Sequence, residues 1–127
     1  MRGEKHLAAL RGATRCRNEA EDIAAQVTAL YRELLRENQL AERDILSLIF
    51  SVTEDLDTQN PSAALRRAGF AQDLALFTVQ EARMKNAPKG IIRVLIHGYL
   101  EEGIKPCHVY RNGAEILRPD WASKPPS

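Results

Sequence analysis

Gly90-Ile91-Ile92-Arg93-Val94-Leu95-Ile96-His97-Gly98 decides how this chain folds. Five aliphatic residues surround one arginine, and glycine bounds the run at both ends. Branched residues in a short apolar run between glycines predict a buried strand. Arginine is rarely buried without a partner. Arg93 therefore has two readings. In one, it lies on an edge strand, in solvent or in a structural ion pair with a nearby glutamate. In the other, a planar, permanently charged donor points into a dry pocket to meet an anion.

Upstream, residues 7–14 read as a first strand, with Arg11 at the end of an apolar run. Taken alone, Arg11 reads as a surface charge at a strand end. Asn18 and Glu21 have capping-box spacing, which predicts a helix from Asn18 to about Asn38. Ile23, Val27, Leu30, Tyr31, Leu34 and Leu35 form its apolar face, a packing surface. Residues 45–53 predict a second strand. Asn60-Pro61 opens a short helix that Gly69 ends. Arg66 and Arg67 fall in its last turn, where the helix dipole already favours cations. Residues 74–81 predict a third strand, ending in Glu81. Downstream, Asn112-Gly113 between extended runs predicts a hairpin over residues 108–117. From about residue 121 the sequence reads as a flexible tail.

This order predicts one domain over residues 1–127 with an α+β fold: a small mixed β-sheet with helices packed on one face. The other face would be left open, and burying it against copies of the same chain is a natural solution.

Composition narrows the function. The 127 residues are 44% hydrophobic and 28% charged, as in an ordinary globular domain, and the formal net charge is +1. No basic field points to nucleic acid or a membrane surface. No apolar run approaches the roughly 20 residues of a membrane span, and no signal h-region follows the first residues. A cytoplasmic protein with reduced thiols is the expectation, since Cys16 and Cys107 have neither zinc nor redox spacing. No Gly-rich phosphate loop, metal cluster or serine elbow is found. Arg11, Arg66, Glu81, Arg93, Tyr110 and Arg118 remain, all at or near strand or helix ends. Fixed cations with one carboxylate and one phenol suit an anionic ligand that needs positioning and charge stabilisation. They do not suit a proton shuttle at neutral pH.

These residues carry a family resemblance. Leu10-Arg11-Gly12-Ala13-Thr14 resembles the opening of the small trimeric chorismate mutases, the α/β class as distinct from the all-helical one. Val52-Thr53-Glu54-Asp55-Leu56 with Pro61, Ala64, Arg66 and Gly69 continues the pattern. Gln80-Glu81, Ile92-Arg93-Val94, His108-Val109-Tyr110 and Leu117-Arg118-Pro119-Asp120 come next in family order. The resemblance implies a homotrimeric pseudo-α/β-barrel with active sites between subunits, and conversion of chorismate to prephenate in aromatic amino acid biosynthesis, with no cofactor or metal. By position, Arg93 resembles the cation at the ether oxygen and Arg11 the clamp on the side-chain carboxylate. Tyr110 resembles an added donor there, and Glu81 the acceptor for the ring hydroxyl. Arg66 and Arg118 would gather the dianion at the mouth, and Phe77, Thr78 and Leu117 would complete the substrate contacts. Many members carry an aromatic residue and a lysine where this chain has Asn60 and Ala63, so one entrance cation is missing. Thr78 stands where a cysteine is common. The alternatives are a trimeric enamine or imine deaminase, and a catalytically weakened dicarboxylate-binding module.

Overall fold

The computed structural model describes residues 4–121, so the tail expected beyond them lies outside the described residues. The elements are β1 (Lys5–Arg15), α1 (Ala20–Glu37), β2 (Ile45–Val52), α2 (Pro61–Arg67), β3 (Leu76–Gln80), β4 (Ile91–Glu101) and β5 (Val109–Arg111). Short 3₁₀ turns span Glu42–Asp44, Ala114–Leu117 and Pro119–Trp121. The five strands form one mixed sheet in the order β3-β2-β4-β1-β5. The Arg93 strand is therefore central, which excludes the edge-strand reading. It pairs antiparallel with β1 from Lys5↔Glu101 to Arg15↔Ile91, and antiparallel with β2. The outer strands β3 and β5 add in parallel to β2 and β1.

Side chains alternate across the sheet. Leu10, Leu48, Phe50, Ile92, Ile96 and Leu100 belong to the core that also holds Ile23, Val27, Leu30 and Leu34 of α1 and Leu65 of α2. Gly12 sets how closely α1 lies on the sheet. A Cβ there would sit 2.9 Å from Leu34 Cδ1 and 3.0 Å from the Val109 carbonyl oxygen. Among the described residues no α-helix lies on the opposite sheet face; the 3₁₀ turn at Ala114–Leu117 packs there beside Ala13 and Tyr110. Leu7, Phe77, Val79 and Tyr99 lie on the same face, from 40% to 66% exposed. One face covered and one open is the arrangement expected from the element order.

Two local expectations fail. The helix does not start with an Asn18 cap. Glu19 occupies the N-cap position and makes no side-chain cap. The Asn18 amide oxygen instead accepts from Asp57 N, Thr58 N and Thr58 Oγ1 at 2.9–3.1 Å, and its nitrogen donates to Asp57. A short polar side chain that can bind loop backbone is free to leave its own helix, and this one ties the α1 entry to the loop before α2. Asn60, by contrast, does cap α2, accepting from Ser62 N at 2.8 Å.

The second failure is the hairpin. Asn112 and Gly113 both have positive φ, as an Asn-Gly turn requires. Among the described residues no strand returns, however. The chain enters the 3₁₀ turn at Ala114, and β5 pairs with β1 instead. Asn112 Nδ2 donates to the Arg15 carbonyl at 2.6 Å, and Ala114 is fully buried. Burying Ala114 beside Ala13 and Tyr110 replaces a second ladder. The third strand also begins two residues late, at Leu76, because Ala71–Leu74 forms a turn.

Gly90 fixes where β4 begins. Its φ is +70°, and an added Cβ would lie 2.7 Å from the Cys16 carbonyl oxygen. Its N–H donates to Asp55 Oδ2 at 3.0 Å, and its carbonyl accepts from Cys16 N at 2.8 Å. Gly90→Ala meets both a backbone conformation that disfavours side chains and a backbone clash. It is expected to destabilise the fold by about 2 kcal/mol or more, as measured by urea unfolding; an unchanged midpoint would refute this reading of Gly90.

Candidate active site

Arg93 stands on the open face of the central strand, opposite Ala13 of β1 and Ser51 of β2. Both neighbours are small, so the guanidinium stem is not crowded. Glu81 follows β3, and its N–H extends the ladder to the Val52 carbonyl at 2.8 Å. That bond brings the carboxylate to Arg93, with Nε 2.9 Å from Glu81 Oε1. The structural ion pair considered from sequence is therefore present, on a central strand. Its geometry is unusual. The approach is not aligned for a hydrogen bond, and the buried Nε has no hydrogen-bond partner among the described residues. The two side chains are 36% and 29% exposed, so the pair adds about 1 kcal/mol or less to folding. Its consequence is orientation: a cation held beside a carboxylate, with one directed donor unused. Both residues line a cavity of about 310 Å³ with Thr53, Arg83, Met84 and Ile91.

Tyr110 shares a transverse row with Ala13 and Arg93. Two strand spacings separate the backbones of Tyr110 and Arg93, roughly 10 Å. Tyr110 is buried with Ala13, Ile91 and Ala114, and Leu117 packs against this cluster. Arg11 lies two residues before Ala13, on the same sheet face. Its backbone N–H donates to His108 Nδ1 at 3.0 Å. Burial pushes the His108 imidazole below its ordinary pKa, and the Arg11 and Arg118 charges push it further. Arg118 binds Asp120 through Nε at 3.0 Å and Nη2 at 2.7 Å. That bond raises the Arg118 pKa and lowers that of Asp120. Arg11, Tyr110, Arg118 and Leu117 thus gather on the β1–β5 side of Arg93.

Arg66, Thr78 and Phe77 lie elsewhere. Thr78 and Phe77 are on β3, the opposite edge of the sheet from β5. Four strand spacings, roughly 19 Å, separate those edges. Thr78 pairs with Phe50, a core residue, and so faces the helices. Its hydroxyl donates to Asn60 Oδ1 at 3.0 Å and lies 2.6 Å from Ser62 Oγ. The proton offered to a ligand on sequence grounds is therefore engaged inside the chain, where it fastens α2 to β3. Phe77 is exposed on the open face, and Arg66 is exposed at the end of α2. Arg67 donates to Gln59 and lines a groove with Ala20 and Ala24 of α1.

One chain thus holds the expected residues in two separated groups on an α+β sheet: Arg93 with Glu81, and Arg11, Tyr110, Leu117 and Arg118 on the β1–β5 side, against Arg66, Phe77 and Thr78 at α2 and β3. The chain belongs to the chorismate mutase type I family, whose model matches residues 7–121. A solved chorismate mutase from Clostridium thermocellum is 38% identical and superposes with a TM-score of 0.79, covering 87% of this chain and 99% of that one. No curated protein matches the sequence significantly. Membership favours the mutase reading over the deaminase and the binding module. No helix among the described residues is long and apolar enough to cross a membrane. Nor do any three His, Cys, Asp or Glu side chains among them gather to hold a metal ion.

The sequence marks His108 only as part of the His108-Val109-Tyr110 motif. Only the β1–β5 pairing shows its bond to Arg11. Thr78→Val removes the hydroxyl that joins β3 to the α2 cap. A loss of about 1 kcal/mol in stability is expected, measured by denaturant midpoint; unchanged stability with weakened ligand binding would instead make Thr78 a ligand donor.

Proposed function

We propose that the chain converts chorismate to prephenate as a homotrimer, with each active site completed by a neighbouring subunit. The observation that carries this reading is the Arg93–Glu81 pair on the central strand of a chain that matches the type I family along almost its whole length. The split of the expected site supports the subunit arrangement. Arg66, Thr78 and Phe77 stand too far from Arg11 and Tyr110 for one small dianion to touch both groups within one chain. The uncovered apolar face supports it too, since a sheet with Leu7, Phe77, Val79 and Tyr99 in solvent gains by covering them.

The rearrangement breaks a C–O bond and makes a C–C bond in one pericyclic step. No proton moves and no covalent intermediate forms. The protein must hold a compact conformer of a flexible dianion and stabilise charge as the C–O bond breaks. Arg93 supplies a fixed cation at the ether oxygen, where negative charge grows. Its central strand holds it in place before the reaction begins, so little reorganisation is needed. Arg11 clamps the side-chain carboxylate, with Tyr110 donating beside it. Glu81 accepts from the ring hydroxyl and aims Arg93. Arg118 and Arg66 of adjoining subunits gather the dianion at the mouth. Leu117 and Phe77 supply apolar walls, and Thr78 holds the α2 side of the cleft.

Loss of chorismate absorbance on mixing with the protein tests the reaction. Arg93→Ala is expected to lower kcat by ~10³-fold or more, because Arg93 acts on charge that develops in the transition state. Arg93→Lys should rescue little, since lysine lacks the planar fork. Arg66→Ala should act mainly on KM. Wild-type kcat in Arg93→Ala would remove the assignment.

Light scattering tests the assembly. The expected mass is about three times the 14.2 kDa chain. A monomer at every concentration would leave each chain with half a site and sink the shared-cleft reading.

A further inference from the structure

His108 precedes β5, and its side chain does what a strand carbonyl normally does. The β1–β5 ladder pairs Gly12 with Val109, Ala13 with Tyr110 and Thr14 with Arg111. Arg11 lies one step beyond that ladder. Its N–H donates to His108 Nδ1 at 3.0 Å, joining positions 97 residues apart. A ring nitrogen that accepts a hydrogen bond carries no proton, so the ring is neutral with its hydrogen on Nε2. Gly12 faces α1, so the Arg11 side chain leaves β1 on the Arg93 face. The imidazole therefore grips the backbone from which the carboxylate clamp projects.

We propose that His108 is a positioning residue for Arg11: its neutral Nδ1 holds the Arg11 backbone in the register that aims the guanidinium at the substrate carboxylate, and protonation of the ring releases it. The inference rests on the mutase reading given above. Protonation would set two donors, Nδ1–H and the Arg11 N–H, against each other. It would also place a third cation beside two guanidinium groups. The surroundings keep the ring neutral. Burial acts first, then Arg11 from β1 and Arg118 from the C-terminal segment. Arg118 is bound to Asp120 and lies near Tyr110 of β5, so its charge is partly offset. From α1, Glu33 and Glu37 act on the adjacent Cys107.

The lowered pKa sets the sign. The ring is neutral across the neutral and alkaline range, and Arg11 is held there. Because the reaction moves no proton, kcat/KM should be level from about pH 6 to pH 9. It should fall on the acid side, at a pH below the ordinary histidine value.

The test uses the intact enzyme, two variants and one spectroscopic measurement. In His108→Asn the amide oxygen replaces Nδ1 as acceptor and does not titrate. Its plateau kcat/KM should stay within about threefold of wild type, and its acid limb should move to lower pH. His108→Leu has no acceptor. Its kcat/KM should lie about tenfold below the wild-type plateau, chiefly through KM, and should lack the His108 limb. In the unmodified protein labelled with ¹⁵N, a through-hydrogen-bond coupling should join Arg11 N to His108 Nδ1 and vanish along the acid limb. That measurement stands even if His108→Leu fails to fold. A wild type that turns over chorismate while His108→Asn keeps the original acid limb, or while the coupling persists through it, overturns the positioning role. A wild type that shows the coupling but no turnover overturns the mutase reading instead.

Discussion

The antiparallel pairing of β1 with β4 is the constraint on which the rest of the molecule depends. Its register, from Lys5↔Glu101 to Arg15↔Ile91, places Ala13 opposite Arg93 and Arg11 opposite Leu95. A slip of one residue would turn Arg11 toward α1 and leave Leu10 on the open face. The register is held from one side by α1, which meets β1 at Gly12 with no room for a side chain. At the far end, Gly90 and Cys16 close the ladder with a backbone bond of 2.8 Å. Packing on the helix face thus decides which charges appear on the other.

The two faces have different work. The helix face is apolar and closed, and polar side chains there serve the fold. Thr78 and Ser62 bind the α2 cap, while Asn38, fully buried at the end of α1, accepts from Cys107 N at 2.7 Å and donates to its carbonyl. The open face carries Arg93 and Arg11 among exposed apolar residues. A charged group on such a face is cheaply solvated in one chain. In the proposed assembly, where a neighbouring copy would cover the sheet, its desolvation becomes significant, and the unmade Nε bond of Arg93 would then favour an anionic ligand.

Much of this was legible in the sequence. The run around Arg93 gave a buried strand because its apolar residues, its β-branching and its bounding glycines agree; that the strand is central came only from the sheet order. Asn60-Pro61 gave α2 because the cap and the proline act locally. The readings that failed depend on distant partners. Asn18 has the right spacing for a cap, but the Asp57–Thr58 backbone lies within reach only after folding. Asn112-Gly113 takes the expected backbone, yet burial of Ala114 against β1 decides the path of the chain after it. The site divides in the same way. Residue types and motif order pointed to Arg93 and Glu81, and the structure brings them together. The bond between Arg11 and His108 could not be seen, because 97 residues separate them and nothing near either one marks the contact.

The same ladder has a consequence for how the chain forms. β1 is made first, but its ladder partner ends at Glu101 and its parallel partner begins only at Val109. Most of the sequence must be synthesised before β1 has a neighbour on either side. Contacts this distant are slow to close, because loop entropy must be overcome before pairing rewards it. Until then Leu7 and Leu10 belong to an unpaired strand, open to association with other nascent chains. Arg11, Arg93 and His108 come to one face of the same sheet only when that late closure is complete.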